Sequence, residues 1–376
     1  MLTLYGLALF GVGPSLVAMA RDYQVPLGRL GTLFTSFFIG FTLGVLATGY
    51  LAQRHGKRPL ALAGLGLLAG SLLLFALAPA SGSYPLALLA IALVGVGGAV
   101  TETTASALIT DLNPRRAAFA LNLSQGFFGA GAITGPLLVG SLLGHGLSWR
   151  LHFYLSAALV ALLLAALIPQ QVEEKPADPA TWRQLASLAR HPALLLSALA
   201  MTLYIGAEIG YSGWISAYLE RVLAAPPARA SQAVAWYWVG MTAGRLLAGW
   251  AAERLGPERL VALLGAAGTL ACLATSLAGS ASLGLVLAAA AGLAMSGVFA
   301  SILTAASDHF PGSTATVFGL VMTAVGVGGM TFPAAMGVVA DGIGLRAAMV
   351  VPAGLLLALS LTMLRLRRLR PQPGQA

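Results

Sequence analysis

Glu102, Glu208 and Arg245 stand well inside long apolar runs, and they are the side chains of this sequence with the most chemistry to offer. A charge at the centre of a bilayer costs about 2.5–3.5 kcal/mol on insertion scales, so each is expected to face water, a partner or a solute. Glu102 precedes Asp111, at the expected inner end of its run, by about 14 Å of helix, which places it near the membrane midplane. Its helical neighbours Gly95, Gly98 and Ser106 are small, as a cavity wall would be. A carboxyl there can accept hydrogen bonds from solute hydroxyls and, because burial disfavours its charged form, can carry a proton. The competing role is a lock between its helix and a neighbour. Asn122 and Gln125 share a face and offer amide donors and acceptors that suit hydroxyls. Bonding between helices beside Gly126 and Gly129 is their alternative role. Glu208 shares a face with Tyr204 and Tyr211, with Trp214 nearby, so a carboxylate sits beside flat rings that pack well on the C–H face of a sugar. Trp214 also suits the outer interfacial belt, and Arg245 can pair with a carboxylate or brace the inner gate, the brace being the expected role.

The elements that must hold these groups follow from composition. Hydrophobic residues make up 58% of the 376, and charged residues 9%, far below the roughly one quarter of a soluble domain. The net charge of +9 comes from short basic clusters between apolar runs, a pattern of membrane orientation rather than of nucleic-acid binding. Twelve spans are expected, at 2–20, 30–52, 59–79, 84–111, 117–143, 150–169, 192–219, 231–252, 258–279, 283–307, 313–340 and 345–365. Fourteen of the 21 basic residues fall on one side of this arrangement and six on the other, so both termini are expected in the cytoplasm. Met1 leads straight into an apolar run, so no cleavable leader is expected, and the first span looks short of a turn at its start.

The chain also repeats itself. Gly40, Thr42, Gly44, Gly49, Arg54 and Gly56 recur 200 residues on as Gly240, Thr242, Gly244, Gly249, Arg254 and Gly256. Asp111, Pro114, Gly129, Pro136 and Gly140 recur 197 residues on as Asp308, Pro311, Gly326, Pro333 and Gly337. Two six-helix bundles, 1–169 and 192–376, are therefore expected, joined by a polar linker, 170–191, with a surface helix after Asp178. Asn122 and Gln125 align with Gly319 and Met322, which puts these amides in one half only. Repeated halves of this kind are a mark of secondary transporters, with the ligand between repeats.

The hairpin Gly49-Tyr50-Leu51-Ala52-Gln53-Arg54-His55-Gly56-Lys57-Arg58 resembles the signature loop of the major facilitator superfamily, and Gly249 to Gly256 resembles it again. The family usually has an acid where Gln53 stands, and Glu253 keeps that acid in the second copy alone. Thr101 to Ala105 with Leu121 to Gly129, and Ala207 to Gly210 with Trp214 and Ile215, are similar to the fucose permease group of sugar carriers. The resemblance implies an all-α membrane protein of twelve helices and a proton-coupled sugar symporter, with Glu102 and Asn122 at the sugar. That group also has an acid in its first helix, and Gly6 to Met19 contains none.

The expected solute-binding set is Glu102, Asn122, Gln125, Tyr204, Glu208, Tyr211 and Trp214, with Glu102 and Glu208 carrying the coupling proton and sodium as the alternative ion. Arg54, Arg58, Arg245, Glu253 and Arg254 are assigned to gating. No cofactor or metal is expected: the histidines lack ligand spacing, neither lysine completes a phosphate loop, and no nucleophile elbow is present. Cys272 is alone, so no internal disulfide can form. A functional monomer in the cell membrane, working by alternating access, is the expected form. Export of drugs or metabolites is the competing function, and a membrane sensor or enzyme the third.

Overall fold

The computed structural model describes residues 1–113, 115–170, 191–310 and 314–369, and every regular element in them is helical. Apolar runs become helices close to their expected limits because the bilayer leaves the backbone no partner but itself. In the first half these are α1 (Leu2–Leu9), α2 (Val12–Tyr23), α3 (Gly31–His55), α4 (Lys57–Leu77), α5 (Tyr84–Leu112), α6 (Ala117–Gly144) and α7 (Arg150–Leu167). The second half holds α8 (Pro192–Arg221), α9 (Pro227–Leu255), α10 (Pro257–Ser276), α11 (Ala281–Met295), α12 (Val298–Asp308), α13 (Thr314–Ile343), α14 (Leu345–Ala348) and α15 (Val351–Arg368). The surface helix expected in the linker falls on 171–190, outside the described residues.

Among the described residues, 10 helical stretches are long and apolar enough to cross a membrane, and the pair α1 and α2 makes an eleventh. The remaining expected span is α9, which at 29 residues is long enough but carries Arg229, Arg245, Glu253 and Arg254. Two expected spans are interrupted. The first bends by 41° at Phe10 and Gly11 between α1 and α2, and the tenth breaks at Ser296 and Gly297, where Gly297 takes φ +68°.

The repeat is visible in atoms. Gly56 and Gly256 turn α3 into α4 and α9 into α10 at φ +87° and +78°, a region that only glycine enters freely. A Cβ on Gly40 would overlap the Ala92 carbonyl, and one on Gly95 the Phe37 carbonyl, so α3 and α5 cross in backbone contact. Gly240 meets Ala289 and Gly292 meets Tyr237 in the same way, each residue standing at the repeat offset from its counterpart. Small residues permit such crossings, which dispersion and close approach stabilise where water is absent.

The chain divides into two compact units, Met1–Pro179 with Ile215–Ala235, and Ala180–Trp214 with Trp236–Ala376. In the first, α3 packs on α5, α4 fills the space between α5 and α7, and α1 lies along α6. In the second, α10 packs on α15, α11 and α12.

Candidate functional site

In the first unit Glu102 projects from α5, and Gly98 one turn earlier has the Tyr5 ring where its side chain would be. The small face expected to line a cavity is thus a packing face: Gly95 accepts the backbone of α3, and Gly98 accepts Tyr5 from α1. Its consequence is chemical, because the Tyr5 phenol lies within electrostatic range of Glu102. Tyr5 is itself held against Phe128 of α6, ring centroids 5.9 Å apart. Glu102 is partly exposed and makes no hydrogen bond or ion pair with any described residue. A lock between helices would need such a partner. Thr104 turns its hydroxyl back to the Val100 carbonyl at 2.6 Å, while the buried hydroxyl of Thr101 has no partner among the described residues.

Asn122 lies on α6, and its side chain is outside the described residues. Gln125 is partly exposed on the same helix, and Gly126 beside it has nothing within 4 Å of its absent Cβ, so close helix packing does not explain that glycine.

The second unit treats its acid differently. Glu208 is 7% exposed on α8, with the Tyr204 hydroxyl beside it and the Arg245 guanidinium within electrostatic range. Arg245 on α9 lies 6.0 Å from the centre of the Trp238 ring. Tyr211 shares a 2.9 Å hydrogen bond with Thr275 of α10, and Trp214 donates from its indole to the Pro333 carbonyl of α13 at 3.0 Å. Both rings are fully buried, so their polar atoms are occupied in joining helices. The Tyr237 ring lies tilted with its centroid 5.4 Å from that of Tyr211, and its hydroxyl donates to the Met295 sulfur.

The residues assigned to gating are not equivalent either. Arg58 donates to the Gln170 and Ile168 carbonyls at 2.6 Å each, closing the end of α7. Its neighbour Lys57 pairs with Asp111 at 2.5 Å, tying the start of α4 to the end of α5. Arg254 stacks 4.0 Å over Trp250, and Arg54 and Glu253 are exposed.

Sequence reasoning missed Tyr5. A signal existed: Thr3, Tyr5 and Leu7 stand 199 residues before Thr202, Tyr204 and Gly206, and Gly131 meets the Thr3 carbonyl as Gly328 meets that of Thr202. By the same correspondence Glu102 aligns with Phe299, whose ring lies 6.5 Å from Tyr204. Each unit therefore has a tyrosine at the same place beside one acid, taken from α5 in one and from α8 in the other.

Duplicated apolar helices holding a few scarce carboxyls make up a solute carrier of the membrane. The chain belongs to the Major Facilitator Superfamily, which it matches over residues 1–226 and 198–376, and it is accordingly a multi-pass membrane transporter and not an enzyme. The glucose/galactose transporter of Brucella abortus is 26% identical over 333 residues, 84% of this chain and 80% of its own length. The probable nitrate/nitrite transporter NarK2 of Mycobacterium tuberculosis is also 26% identical, over 346 residues, 88% of this chain and 84% of its own. Among solved structures, the fucose:proton symporter FucP of E. coli matches over 99% of this chain and 98% of that one, with TM-score 0.63 and 22% identity, a likeness of fold.

Proposed function

We propose that this transporter is a symporter that couples a proton to the uptake of a sugar or similar polyhydroxylated solute by alternating access. The observation that carries the reading is Glu102, a carboxyl in mid-span, partly exposed and without a protein partner. Such a group is stable only if water, a proton or a solute hydroxyl satisfies it. Glu102, Asn122 and Gln125 of the first unit, and Glu208 with Tyr204 of the second, are assigned to the solute, with Tyr211 and Trp214 shaping the second set. Glu102 is the coupling acid. Glu208, buried beside Tyr204 and within electrostatic range of Arg245, is the less free of the two. Nitrate, the solute in one relative's name, would call for unpaired cations, and Glu102 and Gln125 offer none. The moving bodies are the halves 1–169 and 192–376, with both termini cytoplasmic and the monomer sufficient. Arg54, Arg58, Arg245, Glu253 and Arg254 are assigned to the inner gate.

The test is transport in proteoliposomes with labelled D-galactose, D-glucose and L-fucose. An inwardly directed proton gradient should drive accumulation, and Glu102→Gln should abolish accumulation while sparing exchange of sugar for sugar. Full gradient-driven uptake by that variant would remove the proton from Glu102, and failure of all three sugars to exchange would end the sugar reading.

A further inference from the structure

The first span bends by 41° between α1 and α2, and an imidazole sits in the bend. His152 of α7 is 0% exposed, and a Cβ on Gly11 would overlap its ring, so the ring occupies the room that Gly11 leaves. The backbone of Leu7 and Ala8 lies beside it, and the Phe153 ring stands edge-on at 4.9 Å. Neither ring nitrogen makes a hydrogen bond to a described residue. A neutral imidazole has one donor and one acceptor to satisfy, so an apolar side chain would fill this space at less cost. We propose that His152 is a further proton-binding residue of this transporter, charged when the bend in the first span opens and neutral when it closes. The proposal rests on the reading of the protein as a proton-coupled symporter.

The chemistry of the bend suits an imidazolium. α1 ends at Leu9, and Phe10 donates to the Gly6 carbonyl as the last rung of its ladder. Carbonyls are in surplus at the carboxyl end of any helix, and Pro14, having no N–H, cannot donate to the Phe10 carbonyl. An imidazolium has two donors and no acceptor, which is the complement of such an end. The charged groups around it have other engagements. Arg150 on α7 turns to Asp22 at the end of α2, where Tyr23 stands against Tyr84 and Arg21 lies in the same last turn. Tyr154 donates to the Ala76 carbonyl, and Tyr5 of α1 lies on Gly98. Lys57 and Arg58 of α4 are tied to Asp111 and to the far end of α7, and α6 carries no titratable residue. Along the first span, Gly11 lies about 9 Å from Tyr5, the neighbour of Glu102, and about 16 Å from Asp22.

The duplicate shows that the fold does not require this residue. At the offset that relates Tyr5 to Tyr204, Gly11 corresponds to Gly210, inside the unbroken α8, where the Met336 sulfur takes up the room. At the offset that relates α6 to α13, His152 corresponds to Met349, which is 0% exposed. The bend and its imidazole therefore occur together, and the counterpart span repeats neither.

The test uses the full chain in lipid nanodiscs with isotope-labelled histidine, and follows the ring nitrogens by NMR from about pH 8 to about pH 5, the interval in which histidine changes charge. The His152 signal is identified by its loss in His152→Met, which installs the residue of the duplicate. Its ring should pass from neutral to imidazolium over this interval. A ring sealed in every state stays neutral throughout, and that result overturns the proposal. In proteoliposomes, His152→Met should keep its Tm or raise it, because no partner is left bare. The same variant should lower the turnover of proton-driven D-galactose uptake about tenfold, a coupling of ordinary size, with KM within about twofold and a flatter pH profile. Unchanged turnover and pH profile make His152 a packing residue and overturn the proposal. His152→Gln, which keeps a donor and an acceptor but cannot take the proton, replaces His152→Met in both arms if that variant does not fold. If the unsubstituted protein takes up no D-galactose under a proton gradient, the symport of that sugar fails, and the NMR titration still decides the proton site.

Discussion

Two carboxyls in similar apolar surroundings have opposite local accounts, and stability measurements can tell them apart. Glu208 is buried with the Tyr204 hydroxyl beside it, so Tyr204→Phe removes a polar neighbour from a buried carboxyl and should cost about 1–3 kcal/mol. Glu102 loses no protein contact on Glu102→Gln, and its stability should change by less than about 0.5 kcal/mol, the usual range for a side chain away from such features. Thermal unfolding of the purified variants checks both, and an equal fall in Tm would mean that Glu102 has a structural partner after all. The acids and Arg245 were legible in the sequence because a charge in an apolar run is rare and needs a reason. Tyr5 was not, since a tyrosine in such a run is ordinary. It acquires meaning only through Gly98, which leaves room for its ring, and through its counterpart Tyr204. Tyr211 and Trp214 were placed by helical spacing beside Glu208, but spacing cannot say whether a ring faces a solute or the next helix, and both bond to neighbouring helices.

At the scale of elements, most spans lie within a few residues of their expected limits, because the apolar run and its glycine or proline boundary are the same physical objects that end the helix. The two interruptions were not legible. Leu2 to Met19 and Leu283 to Leu303 stay largely apolar; the first bends one turn ahead of Pro14, which cannot donate to the Phe10 carbonyl, and the second is divided at Gly297, whose φ is positive. The glycines separate in the same way. Gly95→Leu should be refused, because α5 would have to withdraw from the α3 backbone, and the loss is expected to exceed the roughly 1–3 kcal/mol of ordinary overpacking. Gly292→Leu should fail equally at the duplicate crossing of α9 and α11. Gly126→Ala has open space around it and should be neutral or stabilising by about 0.5 kcal/mol, Ala being the better helix former. Yield of monodisperse protein and Tm read all three, and a stable Gly95→Leu protein would show that the crossing is looser than backbone contact.

For the whole molecule, duplication supplies the frame and departures from it supply the function. The crossings, hairpin glycines and Tyr5 with Tyr204 are shared, whereas Glu102, Glu208, the amides of α6 and the hairpin cations Lys57 and Arg58 are not. Lys57 and Arg58 hold the carboxyl ends of α5 and α7, and their counterparts Pro257 and Glu258 repeat neither side chain. Lys57 and Asp111 are 11% and 12% exposed, so neither charge is well served by water if the other is removed. Lys57→Met should therefore cost on the order of 3 kcal/mol, and Asp111→Leu in the same protein should restore most of it, because a buried pair replaced by apolar side chains loses little. If the double variant unfolds as readily as Lys57→Met, the pair contributes through a network that apolar contact cannot replace, and the hairpin of the first half has a task its duplicate does not share.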